Sequence, residues 1–354
     1  MAGLPQPDTI ANEIFETASK RREEARGYLG MSSIGDPCER KLWYMFRGFT
    51  PVPPEGRALM IFELGKRIED ILIEYLRESG YRIEATQTAF DDFNRLFRGH
   101  CDGVIHGITQ RPHILEIKSA NRKKFDNFKS DGVQKTYPVY WAQVQCYMGY
   151  AGLERALVVV YCKDNSDIYS ERIHFNRHEF EELRRKAYRI IIADDAPGKA
   201  FAQDSLECRY CDYRILCWNP TEHIQTVGQC KNCVWLKWDG LSPICSHRNH
   251  SFPVHHLDRK CDDWSLALFV KTPFIKEDGT LVMPFDSHPR YQWWNGGQSI
   301  ADTLAELGAD PGVIEDYVWR WEERAGIIEA DDGLPRYEAE RRALEITPVY
   351  PKAA

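Results

Sequence analysis

Three side chains near the middle of the chain have the types and spacing that phosphodiester chemistry requires. Asp102 sits in Gly99-His-Cys-Asp-Gly103, and Glu116 and Lys118 sit in Leu115-Glu-Ile-Lys-Ser119. Two carboxylates beside a lysine suit Mg²⁺ or Mn²⁺, hard cations that prefer oxygen ligands. Such an ion polarises a phosphoryl oxygen and generates hydroxide from bound water. The lysine then orients the attacking water or stabilises developing charge. Glu-x-Lys alone is also what an ordinary hairpin with a surface ion pair would carry.

The cysteines form a second chemical group. There are eleven, and seven of them lie between Cys208 and Cys261 at short spacings. Without a secretory segment, that pattern points to metal rather than to a disulfide framework. Cys208/Cys211 and Cys230/Cys233 are two CxxC pairs separated by 18 residues, a zinc-ribbon spacing. This partition leaves Cys38, Cys217, Cys245 and Cys261 over. Cys101, Cys146 and Cys162 fall in predicted regular structure and are expected to be small buried hydrophobes.

The pattern of apolar residues supplies elements to position these groups. Residues 8–28 read as one charged helix, and Asp36-Pro37 as a helix start with Cys38 in the first turn. After a proline-rich link, Ile61, Leu64, Ile68, Ile71, Leu72, Tyr75 and Leu76 keep helical spacing, and Gly80 ends that helix. Strands are predicted at 81–90, 96–105 and 112–118, a helix at 138–150, strands at 156–161 and 168–175, and a helix at 177–194. Strand alternation puts Glu116 and Lys118 on one face, beside Asp102 if the two strands form a hairpin. The alternation of strands and helices is an α/β pattern. Beyond the Cys-rich stretch, residues 262–354 are aromatic and charged, with helical pieces at 300–307 and 312–325. Tyr291-Gln-Trp-Trp294 and Trp319 suit base stacking, but as core aromatics they are more ordinary.

The net charge is -7 over 354 residues, which does not by itself suggest a nucleic-acid binder. Phosphate contacts depend on local clusters, however. The segment from Lys118 to Lys135 sets Lys118, Arg122, Lys123, Lys124, Lys129 and Lys135 against Asp126 and Asp131. Arg122, Lys123, Lys124 and Lys129 are its DNA-binding candidates; the plainer alternative is a solvated helix face. No apolar run is long enough to cross a membrane, and the polar start of the chain lacks a secretory signal, so a soluble intracellular protein is expected.

Taken together these motifs resemble the RecB-like PD-(D/E)XK nucleases, the branch that includes phage exonucleases and CRISPR-associated exonucleases. Gly65-Lys-Arg-Ile-Glu69 matches the family's preceding helix, with Glu69 where many relatives have histidine. Gln143-Val-Gln-Cys-Tyr147 matches its Gln-x-x-x-Tyr motif, whose spacing puts both side chains on one helix face, to contact DNA or orient the catalytic lysine. Tyr147 is alternatively a core aromatic. Cys38, Cys208, Cys211 and Cys217 match the four-cysteine pattern that holds a structural 4Fe–4S cluster, and Ser33 and Arg40 fit the motif around Cys38.

The resemblance implies a restriction-endonuclease-like α/β core, a mixed central sheet flanked by helices, with a Cys-rich metal-binding region and a small C-terminal extension. The implied boundaries are 1–218 for the nuclease domain, 219–265 for the Cys-rich module and 266–354 for the extension. Asp102, Glu116, Lys118, Glu69, Gln143 and Tyr147 become the catalytic set, and Glu69, Asp102, Glu116 and Ile117 the ligands of Mg²⁺ or Mn²⁺. Cys230, Cys233, Cys245 and Cys261 are then left for Zn²⁺ or a second cluster, with His247, His250, His255 and His256 as alternative ligands. The expected activity is exonucleolytic cleavage of DNA, single-stranded or at ends, in phage recombination or CRISPR spacer processing. The expected setting is the cytoplasm of a bacterial or phage-infected cell, with a recombination or spacer-integration protein as partner. A catalytically silent DNA-end-binding or adaptor protein is the alternative.

Overall fold

The structure is a computed structural model that describes residues 9–21, 26–218, 228–233, 235–259, 274–275, 281–282, 300–306, 308–334 and 336–347. The chain divides into two compact units, Met1–Arg214 and Ile215–Ala354. No described helix is long and apolar enough to cross a membrane.

The first unit is mixed α/β. Helices α1 (Ile10–Ser19), α2 (Glu39–Phe46) and α3 (Gly56–Glu78) come first, with the short strand β1 (Leu29–Gly30) between α1 and α2. Strands β2 (Arg82–Glu84), β3 (Thr88–Asp92), β4 (Phe97–Cys101), β5 (Gly103–His106) and β6 (His113–Ala120) follow. Helices α4 (Arg122–Thr136) and α5 (Pro138–Ala151), strands β7 (Arg155–Cys162) and β8 (Ile168–His174), and helix α6 (Arg177–Ile192) complete the core. A five-stranded sheet has the order β2-β5-β6-β7-β8, and a three-stranded sheet the order β1-β4-β3. In the larger sheet β6 and β7 run parallel and the other neighbours antiparallel. β7 carries a β-branched run, Val158–Val160, and both parallel strands are largely buried, as strands covered on two faces must be.

Alternation along β6 sorts its side chains. Leu115 and Ile117 join Ile68, Leu72, Ile73, Ile83, Ile105 and Val159 in one apolar cluster against α3. Glu116 points the other way, to α5, where Gln143 meets it. Pro138 opens α5 at its first turn, and Gly152, left-handed at φ 66°, closes it.

Several boundaries differ from the sequence reading. The first helix spans Ile10–Ser19 rather than 8–28, ending where the Lys20 and Arg21 N–H groups bond three residues back. Cys38 caps α2 instead of lying in its first turn. Of the seven apolar residues expected to face the core from α3, only Ile68 and Leu72 are buried. Ile61, Leu64, Ile71 and Tyr75 are exposed, and Ile73 is buried in their stead. The predicted strand 96–105 is broken at Asp102, because β4 and β5 belong to different sheets. The strand expected at 81–90 is likewise split, with Ala85 and Gln87 at positive φ between its halves. The basic segment forms α4, interrupted at Gly132 (φ 74°), where Glu171 Oε2 accepts from the freed Val133 N–H at 2.7 Å.

In the second unit, strands β9 (Leu236–Asp239), β10 (Ser242–Cys245) and β11 (His250–Ser251) form a small antiparallel sheet. Helices at Ile300–Glu306, Pro311–Asp332 and Arg336–Ile346 bury Leu304, Val313, Tyr317, Trp321 and Ala343 together. Trp319 is exposed at 62%, against its expected core role; Trp321, two residues on, takes that place, its Nε1 donating to Glu340 O at 3.0 Å. Tyr291 and the Trp293–Trp294 pair lie outside the described residues.

Candidate active site

Asp102 lies in the break between β4 and β5, one residue before the β5–β6 pairing that sets Gly103 opposite Leu115. Its Oδ2 accepts from the Ile117 N–H at 2.6 Å. The break aims the carboxylate at β6 because the chain changes sheets there, and the hydrogen bond fixes it. Glu116 is fully buried, and its Oε1 accepts from Gln143 Nε2 at 2.8 Å and from Lys118 Nζ. Gln143 Nε2 also meets the Tyr147 hydroxyl at 2.9 Å.

The Gln-x-x-x-Tyr motif meets Glu116, on the same oxygen to which the Lys118 ammonium donates. Tyr147 is a core aromatic as well as a hydrogen-bonding one, 1% exposed and packed against Phe90. Gly99 makes room for it. A Cβ there would lie 2.6 Å from Tyr147 Cε1 and 2.8 Å from Met31 Cβ.

The site is electrostatically crowded. Burial raises the Glu116 pKa to about 8; Lys118 opposes the shift, and Asp102 and Glu69 add to it. Burial and the Asp102 charge bring Glu69 up to about 7. Asp102 is raised too, by burial, against the pull of Lys118 and the Ile117 N–H. Burial works against the Lys118 charge, yet Glu116 and Asp102 outweigh it and hold the ammonium protonated.

Glu69, on α3, accepts from Gln87 Nε2 at 2.9 Å. Gln87 sits at φ 57°, a conformation non-glycine residues rarely adopt. Nothing in its local sequence marked it as part of the site. Tyr140 is a second neighbour the sequence did not single out, its ring 4.9 Å from Lys118 Nζ. Its position one turn before Gln143 on α5 was the available signal.

The fit to a divalent cation rests on one atom. Glu116 Oε2 is buried and has no hydrogen-bond partner. A buried carboxylate oxygen left unpaired is costly, and its mutual repulsion with Asp102 and Glu69 adds to the cost. A hard cation relieves both. Among the described residues no three His, Cys, Asp or Glu side chains converge at metal-holding distance.

The cysteines are distributed differently. The Cys38 N–H donates to Asp36 Oδ1 at 2.9 Å. Cys208 lies in the short helix Leu206–Arg209 capped by Ser205, and Cys211 in the turn after it. Tyr213 packs on Tyr44 at 5.5 Å and Val52 N–H donates to Asp212 O at 2.8 Å, which ties this segment to the α2 region. Burial raises the Cys211 thiol above its ordinary value, against the pull of the Tyr213 backbone and of Lys41. Cys38, Cys208 and Cys211 are partly exposed thiols without disulfides. Cys217 lies in the second unit.

Cys230 and Cys233 flank a single 3-10 turn, and Cys245 ends β10, its Sγ accepting from the Arg248 N–H at 3.5 Å. Cys230 N–H donates to Arg259 O at 2.7 Å. Cys261 is outside the described residues. His247 stacks on Trp235 at 5.2 Å. Cys101, Cys146 and Cys162 are buried, and burial lifts the Cys101 thiol to about 12.

Of the basic candidates, Arg122 is engaged by Asp126 and Asp167 at 3.0 and 3.4 Å. Lys123 and Lys129 are exposed, while Lys124 is half-buried against tyrosines.

Asp102, Glu116, Lys118 and Gln143 thus converge in one hydrogen-bonded set between β6, the β4–β5 break and α5. The chain belongs to the PD-(D/E)XK nuclease superfamily, whose family model matches residues 37–218. Among solved structures it is similar to SSO0001 at 15% identity and TM-score 0.39, over 59% of this chain and 96% of that one. It is also similar to an alkaline exonuclease (LHK-Exo) from Laribacter hongkongensis at 19% identity and TM-score 0.36, over 51% and 90%. A phage-related exonuclease from Haemophilus somnus 129PT is similar at 12% identity and TM-score 0.29, over 35% and 66%. No curated protein matches the chain.

Proposed function

We propose that this protein is a deoxyribonuclease, dependent on Mg²⁺ or Mn²⁺, that shortens DNA from its ends. The observation that carries this reading is the unpartnered Glu116 Oε2 inside the Asp102–Glu116–Lys118 set, in a chain of nuclease ancestry. Asp102, Glu116 and the Ile117 backbone would hold the cation, with Glu69 beside them. When bound, the ion supplies Lewis-acid polarisation of the phosphate and a lowered water pKa.

The chain's own groups do the rest. Lys118, protonated across the ordinary pH range, acts as a cation and hydrogen-bond donor and not as a base. It orients the attacking water and neutralises charge on the phosphoryl oxygens. Gln143, anchored by Tyr147, fixes the Glu116 carboxylate through Oε1, so that Oε2 would be available to hold the ion. Action at ends, rather than within a strand, follows the resemblance of the Glu69, Asp102, Glu116-Lys118 and Gln143–Tyr147 motifs to phage and CRISPR-associated exonucleases. Phage recombination and spacer processing both use that chemistry, in a bacterial or phage-infected cytoplasm, with a recombination or integration protein as partner.

Two metal centres accompany the proposal. A structural 4Fe–4S cluster on Cys38, Cys208, Cys211 and Cys217 rests on the resemblance of these four cysteines to the family's four-cysteine pattern. Zinc, or a second cluster, on Cys230, Cys233, Cys245 and Cys261 is supported by the CxxC turn and the β10 cysteine of the small sheet.

Digestion of end-labelled single- and double-stranded DNA with Mg²⁺ or Mn²⁺ tests the reading. Wild type should shorten the substrate, and Lys118→Ala should not. Equal inertness of the two across metals and substrates would hand the function to a silent DNA-end-binding adaptor.

A further inference from the structure

Gln143 reaches Glu116 from α5, and Tyr147 backs it. The segment from Met31 to Asp36 touches both members of that pair's surroundings. At its start the chain runs beside β4, where the Met31 N–H donates to Arg98 O at 2.7 Å. This sets Met31 and the Tyr147 ring on the same gap, since a Cβ on Gly99 would meet both. Four residues on, Gly35 lies against the first turn of α5. A Cβ there would fall 2.6 Å from Val139 Cα and 2.8 Å from Ala142 Cβ, one residue before Gln143. Only a residue without a side chain allows that approach.

The tether that holds the segment in place comes from α6. Lys186 Nζ donates to Ile34 O at 2.8 Å and to Asp36 O at 2.6 Å, on either side of Gly35. The segment's own N–H groups are spent on tight turns, Ser33 to Gly30 O at 3.1 Å and Asp36 to Ser33 O at 2.9 Å. Neighbouring cations on α6 form ion pairs, Arg185 with Glu182 and Arg189 with Glu39. Lys186 instead turns its ammonium to main-chain carbonyls, which are fixed acceptors, and such charge-assisted bonds are stronger than neutral ones. The far end of α5 is locked to α6 as well, because a Cβ on Gly149 would strike the Phe180 ring.

We propose that Lys186 is a positioning residue for the nuclease centre. It presses the Met31–Asp36 segment onto α5 and so sets how Gln143 meets Glu116. This rests on the nuclease reading and extends it to a side chain that bonds neither the carboxylates nor Lys118.

The test compares full-length wild type, Lys186→Met, Lys186→Arg and Gln143→Ala by calorimetric Mn²⁺ titration, and by amide hydrogen exchange without metal. Lys186→Met should weaken Mn²⁺ binding about three- to tenfold, less than Gln143→Ala does, and Lys186→Arg should restore most of the loss. In the doubly substituted Lys186→Met, Gln143→Ala protein the two losses should not add, because the effect of Lys186 passes through Gln143. Arg185→Met, which removes an exposed charge one residue away, should bind Mn²⁺ as wild type does. Without metal, Lys186→Met should quicken exchange at residues 33–36 and also at residues 142–147 of α5. Unchanged Mn²⁺ affinity, additive losses, an equal loss in Arg185→Met, or unchanged exchange in α5 each overturns the proposal. A wild type that binds no Mn²⁺ overturns the nuclease reading, and the exchange result then decides the role of Lys186 by itself.

Discussion

The carboxylate centre and the cysteine positions are built on opposite plans. Glu116 and Lys118 hang from β6 and Gln143 from α5, and Asp102 sits at the one-residue joint of β4 and β5. Hydrogen bonds tie each to another or to the backbone. Cys38 caps a helix, Cys208 lies in a four-residue helix and Cys211 in the turn that follows. Regular elements can aim side chains rigidly at a small ion. Short turns can bring thiols near one another, but a bond to a shared ligand has to lock them. The carboxylate site should therefore lose chemistry while keeping its fold when altered, and the cysteine site should lose fold.

The largest effect sharpens that contrast. Glu116→Ala should lower metal-dependent digestion by at least about 10³-fold with little change in melting temperature. Gln143→Ala, which frees Glu116 without removing it, should cost roughly 10–100-fold and raise the metal concentration needed for half activity. Kinetics across a Mn²⁺ titration separate the two; a Gln143→Ala enzyme with wild-type metal dependence would deny the glutamine its positioning role.

For the cysteines, Cys38→Ala should strip most of the iron and colour from the purified protein and lower its melting temperature. Cys245→Ala should release zinc and leave iron in place. Elemental analysis reads both. Full iron content in the Cys38 variant would break the long-range partition, and iron alone at twice one cluster's content would replace zinc by a second cluster.

A smaller effect is expected from packing beneath the site. Gly99→Ala sets a methyl 2.6 Å from Tyr147 and 2.8 Å from Met31, in contact with buried groups that cannot swing away. It should cost about 1–3 kcal/mol in a denaturant titration and reduce activity through Gln143. No loss of either would mean that the Tyr147 ring is free to shift.

The smallest effect is a pH dependence. The Glu116 pKa rises from its ordinary 4.5 to about 8 in the fold, so its contribution to metal-free stability is full below the unfolded value and lost as pH rises through about 8. A cation binds the ionised form. Mg²⁺ or Mn²⁺ should thus raise the melting temperature by more at about pH 9 than at about pH 5. An equal increment at both would place the cation away from Glu116.

Much of this was legible in the residues themselves. The β-branched run of β7 and the Pro138-to-Gly152 limits of α5 follow from local propensity, and the Glu116–Lys118 spacing follows from strand alternation. The four-residue spacing of Gln143 and Tyr147 put them on one face because a helix has that period. Tertiary structure decided what each face met. It turned Gln143 to the carboxylate, broke the predicted strand at Asp102 because β4 and β5 join different sheets, and exposed half of the apolar stripe of α3. It also recruited Gln87 and Tyr140, and divided the basic run so that Lys124 faces inward while Arg122 is neutralised. Local sequence fixes which side chains share a face, since that depends on backbone period alone. Which faces meet depends on contacts between residues far apart in the chain, and no local pattern encodes them.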